Sequence, residues 1–302
     1  MNFAVLLLLL LLGPGMGWAP DKSQELLEQQ YRVAGSRIVE AAGMRMHIAE
    51  SGPRDAPAVV LVHGFASSLQ TWDGWRQTLE QDHHVVRLDV AGFGLSGPDP
   101  GADYSDAAEV RRLLSLLDTL DLPSVVLVGH SLGGRVAWNF AAAHPERVSK
   151  LVLLAPDGFS FPDAKGEFTF EVPWYATVLR HALPQWLVRK GLESAYVDAS
   201  RLDETTVIRY RDLLLGPGVR QALLDRMAQT RNGDPLPRLH SLPMPTLLLW
   251  GAEDQLIPVR HAQDFVHAIP QAQLLVLPQL GHLLQEEQPQ RSLQPVLEFL
   301  AR

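Results

Sequence analysis

The sequence predicts a doubly wound α/β architecture: a mostly parallel sheet with helices on both faces and an inserted helical cap. Three observations carry that prediction. Short, continuous apolar runs recur with helical patterns between them. One long interval breaks the alternation. A glycine-flanked serine falls at a strand-to-helix junction.

The elements follow in order. Asp21 to Tyr31 reads as a short polar helix or linker. Ile38 to Glu40 and Met44 to Ala49 alternate around Ala42-Gly43 and predict a hairpin. Ala58-Val59-Val60-Leu61-Val62 is apolar throughout, as a strand covered on both faces must be. Val85 to Leu88, Val125 to Val128, Leu151 to Leu154, Thr246 to Trp250 and Leu274 to Leu277 repeat that pattern. Between the strands, Asp106 is an N-cap candidate with Glu109 at the capping-box position. Val110, Leu113, Leu114 and Leu117 share one face of that helix. Leu132 to Ala143, Val259 to Ile269 and Arg291 to Leu300 are the other predicted helices. Right-handed strand–helix–strand crossovers make such a sheet parallel.

Asp157 to Leu242 lacks a buried-strand pattern. Its aromatics are Phe159, Phe161, Phe168, Phe170, Trp174, Tyr175, Trp186, Tyr196 and Tyr210, and six prolines cut it into short helical pieces. The expected organisation is therefore a core in two parts, residues 20–156 and 244–302, around a helical cap at 157–243. Residues 1–19 stand apart. Phe3 to Leu12 is one apolar run that would span about 15 Å as a helix, half a bilayer core. It resembles a signal-peptide core, although no Lys or Arg precedes it. The cleavage sites available, at Gly15-Met16-Gly17 and Gly17-Trp18-Ala19, are weak. The expectation is a cleaved signal peptide or a retained anchor: a periplasmic or secreted protein, or one attached to a membrane.

Composition narrows the function. The net charge is −8 and no run of Lys or Arg is present, which argues against a nucleic-acid partner. There is no cysteine, so disulfides, thiolate metal sites and a cysteine nucleophile are excluded. No His, Asp and Glu cluster has metal-ligand spacing, and no metal or cofactor is expected. The three glycines between Leu88 and Gly97 have neither the G-x-G-x-x-G spacing nor the lysine of a phosphate loop. Asp89 and Ser96 are expected to stabilise a turn there.

The chemistry centres on Gly129-His130-Ser131-Leu132-Gly133. The pattern G-x-S-x-G is weak alone, but here it follows four apolar strand residues and opens a helix, where a sharp turn exposes a serine hydroxyl. Serine needs a base to act as a nucleophile. His282, in Leu280-Gly281-His282, follows the last strand and can return to the carboxyl edge of the sheet. His63, beside Gly64, suits a loop-shaping role, and His144 a helix end. Asp254, after the strand ending at Trp250, is the expected acid that orients the imidazole, with Glu253 and Asp157 as alternatives. The order Ser131, Asp254, His282 fits this arrangement. Backbone N–H groups of Phe65 and Leu132 are the expected oxyanion donors.

Together H-G-F-A, D-V-A-G-F-G-L-S-G, G-H-S-L-G-G, G-A-E-D-Q-L-I-P and the final G-H resemble the α/β-hydrolase superfamily over nearly all of Arg37 to Arg302. The resemblance implies the α/β-hydrolase fold and a Ser-His-Asp triad, and it is poorly specific for substrate. Dehalogenases and epoxide hydrolases of this fold carry Asp where Ser131 stands. Proline iminopeptidases carry G-G-S-W-G. The C–C hydrolases of ring-fission products have Asn before the serine and Trp after the histidine, where this chain has His130 and Leu283. The N-terminal apolar run with a cap loosely resembles membrane-associated monoacylglycerol lipases.

The leading expectation is a carboxylic-ester hydrolase (esterase or lipase-like) acting on a small lipophilic ester through an acyl-enzyme. One alternative is C–C cleavage of a ring-fission product, with Arg180 or Arg189 gripping a carboxylate. The other is a non-catalytic binding protein that keeps the fold.

Overall fold

The computed structural model describes residues 18–159, 168–169 and 172–302. The run Phe3 to Leu12, Phe161 and Phe170 lie outside the described residues, and so does the question of a signal peptide.

Helix α1 (Gln24–Tyr31) starts at Ser23, whose hydroxyl accepts the Leu26 N–H at 3.3 Å. Strands β1 (Ser36–Ala41) and β2 (Met44–Ser51) form the predicted hairpin. Ala42 and Gly43 both have positive φ, 50° and 77°, the geometry a two-residue turn needs to match strand twist. Then follow β3 (Ala58–Val62), α2 (Asp73–Leu79), β4 (His84–Leu88), α3 (Asp106–Thr119), β5 (Val125–His130), α4 (Leu132–Ala143) and β6 (Val148–Leu154). Beyond β6 come α5 (Gln185–Glu193), α6 (Glu204–Leu214), α7 (Val219–Gln229) and α8 (Leu236–His240). Two 3₁₀ helices, Trp174–Arg180 and Ala199–Arg201, and a two-residue ribbon, Phe168–Thr169 with Arg231–Asn232, complete that insertion among the described residues. The chain returns through β7 (Thr246–Gly251), α9 (Arg260–Ala268), β8 (Ala272–Leu277), α10 (Leu284–Glu287) and α11 (Pro289–Leu300).

The sheet order is β1-β2-β4-β3-β5-β6-β7-β8. The β1–β2 and β2–β4 pairs are antiparallel, and every other pair is parallel. Successive strand residues face opposite sides, so each apolar run supplies two cores at once. Val60, Val62, Leu127, Leu153 and Leu248 pack with α3, α4 and α9 on one face. Val59, Leu61, Val128, Val152 and Leu249 pack with Trp75 of α2 and Leu293, Val296 and Phe299 of α11 on the other. Each such side chain contributes about 1.5–3 kcal/mol by burial. This is why the strands show no polar alternation.

Two local expectations are corrected. The N-cap of α3 is Ser105, not Asp106: its hydroxyl accepts the Ala108 N–H at 3.3 Å. Asp106 is thereby free to receive the Arg135 guanidinium at 2.8 and 2.9 Å. The run at Leu274 to Leu277 is not covered on both faces. As the outermost strand, β8 leaves Leu275 and Val276 exposed.

The residues before α1 are tied to the insertion. The Ala19 N–H donates to His181 O at 2.9 Å and the Lys22 N–H to Leu215 O at 2.8 Å. Lys22 pairs with Asp212 at 2.6 Å and Arg220 with Asp21 at 2.5 Å. Among the described residues no helix is long and apolar enough to cross a membrane.

Candidate active site

Ser131 sits alone between β5 and α4 with φ 54° and ψ −118°, a conformation that costs an L-residue of order 1–3 kcal/mol. Backbone bonds hold it there. Its N–H donates to Leu154 O at 2.9 Å, and its carbonyl accepts from Asp157 N at 3.0 Å and Arg135 N at 3.1 Å. The flanking glycines are required by close approach. A Cβ on Gly129 would lie 2.3 Å from Gly133 O, and one on Gly133 2.2 Å from Val62 O. The G-x-S-x-G pattern is therefore the steric condition for this turn.

His282 follows β8, and Asp254 follows β7. His282 Nδ1 lies 2.7 Å from Asp254 Oδ2, both side chains buried. The other oxygen, Oδ1, accepts the N–H groups of Leu256 at 2.8 Å and Ile257 at 2.9 Å. A carboxylate so fixed makes Nδ1 the donor, leaving Nε2 of the neutral ring as the proton acceptor. The alternative acids are occupied elsewhere. Asp157 pairs with Arg135 at 3.4 Å, and exposed Glu253 accepts the Leu280 N–H at 3.3 Å.

The turn after β3 lies against Ser131: a Cβ on Gly64 would come within 3.2 Å of the Ser131 Cβ. His63 shapes it as expected. Its Nδ1 donates to Gly64 O at 2.7 Å and its Nε2 accepts the Val90 N–H at 2.9 Å. Phe65, the next residue, lines the same cavity as Ser131. Leu132 is the first residue of α4, so its N–H lies outside the helix's own ladder. Asp89 has the structural role expected of it, accepting from Leu69 N at 2.7 Å, Leu95 N at 2.8 Å and His47 Nδ1 at 2.7 Å. Burial pushes its carboxyl up, but His47 and these hydrogen bonds hold it below the ordinary value.

His130 is the residue that sequence reasoning missed as a contact of His282. Its Nε2 donates to the His282 carbonyl at 2.9 Å, with the rings 4.6 Å apart. Nothing local in the sequence announces a partner 152 positions away. Burial first, and the His282 ring second, push His130 well below the usual histidine value. Burial likewise lowers His63. Both are neutral in the fold, while an unfolded histidine takes up a proton below about pH 6.5. The unfolded chain then binds more protons, so stability falls as pH drops, by at most about 1.4 kcal/mol per pH unit for each ring. A thermal melt should accordingly shift down between pH 7.5 and 5. A melting temperature flat over that window would contradict neutral burial of both rings.

Ser131 and His282 share the wall of a cavity of about 520 Å³. Leu179, Leu183, Val188, Leu214, Leu223 and Met227, all from the insertion, provide much of its lining. Tyr210 adds a hydroxyl, but it donates to Glu286 Oε1 at 2.6 Å and sits 3.0 Å from Ser67 Oγ. Among the described residues no Lys, Arg, Asp or Glu lines the cavity. Arg180 is exposed, and Arg189 pairs with Glu204; neither lines the cavity. Among the described residues no group of three or more His, Asp or Glu could hold a metal ion.

Comparison with known proteins agrees with this architecture. The family model described as "alpha/beta hydrolase fold" matches residues 57–289. A 2-hydroxymuconate semialdehyde hydrolase of Pseudomonas putida is 32% identical over 94% of this chain and 97% of its own. A meta-cleavage product hydrolase structure (CumD) is 26% identical with a TM-score of 0.75, covering 88% of this chain and 97% of that one. The structure of a membrane phospholipase A, called a novel bacterial virulence factor, is 25% identical with a TM-score of 0.77, covering 92% and 91%. With the match to the family model, the elbow at Ser131 and the sheet order around it, the chain belongs to the α/β-hydrolase family.

Proposed function

We propose that this hydrolase cleaves carboxylic esters bearing an apolar acyl group. Ser131 Oγ attacks the ester carbonyl while His282 Nε2 takes its proton, and Asp254 holds the imidazole and stabilises its charged form. The N–H groups of Phe65 and Leu132 receive the oxyanion; one such donor is worth about 3 kcal/mol in the transition state. His282 returns the proton to the leaving alcohol. Water activated by the same nitrogen then releases the acid from the acyl-enzyme.

The observation that carries this reading is the cavity: a leucine-rich space of about 520 Å³ with Ser131 and His282 in its wall. An acyl chain gains there by burial, about 0.8 kcal/mol per CH₂. A carboxylate would be desolvated without a cationic partner. That is an argument against the second reading, C–C cleavage of a carboxylate-bearing ring-fission product, which the names of the relatives favour.

One series separates the two. With p-nitrophenyl esters from acetate to decanoate, kcat/KM should rise severalfold or more per two carbons before levelling as the cavity fills. A dienol carboxylate should turn over poorly. Turnover of that diketone with negligible esterase activity would reverse the assignment. Failure of a fluorophosphonate to label Ser131 in the folded protein would favour a non-catalytic role.

A further inference from the structure

The seven tryptophans divide sharply. Trp72, Trp75, Trp138 and Trp250 are buried in the core. Trp18, Trp174 and Trp186 are 75%, 70% and 50% exposed. Exposing an indole forgoes burial of one of the largest apolar side chains, so a concentration of three in one region calls for a reason.

They belong to one region. Trp174 opens the 3₁₀ helix that runs to Arg180, and Trp186 lies in the first turn of α5. Trp18 forms a β-bridge with Ala182 between them and stacks on His181, ring centroids 5.5 Å apart. The same stretch builds the cavity: Leu179, Leu183 and Leu187 line it. On the core side, Phe65 and Leu256 line the cavity and are also 41% and 50% exposed, which places them at its mouth.

Charge in this stretch runs against the rest of the chain. Residues 172–192 hold Arg180, His181, Arg189 and Lys190 between Glu171 and Glu193, in a chain of net charge −8, and Arg189 is paired with Glu193 and Glu204. Arg180, His181 and Lys190 are exposed. Exposed indoles among cations are the composition that settles at the boundary of an anionic bilayer. The apolar run Phe3 to Leu12 ends six residues before Trp18, so its end cannot lie farther than roughly 20 Å from this face.

We infer that the face bearing Trp18, Trp174 and Trp186 rests on an anionic phospholipid bilayer. The mouth of the cavity is then turned toward the lipid, and an acyl substrate enters from the bilayer instead of from water. The substrate part of this inference rests on the ester reading; the docking part does not.

The full chain bound to vesicles of phosphatidylcholine with phosphatidylglycerol tests it. Brominated acyl chains quench only indoles that reach the lipid, and the four core tryptophans are shielded. Emission should be strongly quenched in the unaltered protein. The quenched component should disappear in a Trp18→Ala/Trp174→Ala/Trp186→Ala variant. Absence of quenching in the bound protein, or quenching unchanged in the variant, overturns the docking whatever the enzyme's substrate. In a second arm, Trp174→Ala/Trp186→Ala should lower hydrolysis of a long-chain ester embedded in vesicles by about tenfold and leave soluble p-nitrophenyl butyrate unchanged. Equal rates on the embedded ester would overturn entry from the bilayer. Hydrolysis of neither ester by the unaltered protein, with its quenching intact, would count against the ester reading alone. A lipid-free dimer in sedimentation, dissolved by the triple substitution, would give the face to a second copy of the chain and overturn the proposal.

Discussion

Replacing Ser131 with alanine is expected to lower kcat/KM for a short p-nitrophenyl ester by at least about 10⁴-fold. The fold should survive, because the bonds holding position 131 are made by its backbone and alanine retains the Cβ. The strain at φ 54° is already borne by a non-glycine residue. His282→Ala should cost a similar factor. The double variant should be little worse than either, since attack and proton removal are one event. Steady-state rates with a thermal melt of each variant check this. A folded Ser131→Ala protein keeping a tenth of the activity would remove Ser131 from the nucleophile's role. Additive losses in the double variant would deny that the two side chains act together.

Arg226→Met should destabilise the protein by about 3 kcal/mol or more. Arg226, on α7, is buried against the core. Its guanidinium donates to Ala91 O at 2.6 Å and to Glu109 of α3, and stacks 4.9 Å from the Tyr104 ring centroid. Glu109 is buried as well, and its other cation, Arg112, lies at 3.4 Å. Methionine fills similar volume but leaves a carboxylate under-compensated where water cannot reach it. Changing Glu109 to Met in the same chain should recover much of the loss, because the pair's net worth is smaller than the damage of breaking it. Urea midpoints of the two single variants and the double measure the coupling. A loss under about 1 kcal/mol in Arg226→Met would show that Arg112 alone satisfies Glu109. The consequence should reach the site: Arg226 also packs on Phe93, whose ring meets Phe65 edge-on at 5.3 Å. A severalfold fall in kcat without a comparable change in KM would record a shift of the turn that carries Phe65.

The elbow was legible because its constraints are local. A serine at positive φ between a buried strand and a helix needs glycine at 129 and 133, and contiguous residues state that need. The parallel strands were legible for a similar reason. Val60 and Val62 on one face and Val59 and Leu61 on the other leave no polar position in the run. The cap of α3 was misplaced by one residue, since Ser105 and Asp106 both suit an N-cap and the distant Arg135 draws Asp106 away.

Which acid meets which imidazole is another matter. Asp157, Glu253 and Asp254 all follow strands that end at the same edge, so the sequence favours Asp254 but leaves the other two open. Packing does: Leu256 and Ile257 N–H groups turn Asp254 onto His282, while Arg135 takes Asp157. The His130 bond to His282, the exposure of β8 and the bridge of Trp18 to Ala182 also join residues far apart in the chain. Dihedral preference and hydrophobic periodicity act between neighbours, so the sequence by itself determined the strands, the alternation and the strained turn. Desolvation and hydrogen-bond competition act between whatever surfaces the fold brings together, and only the tertiary structure decided those pairings.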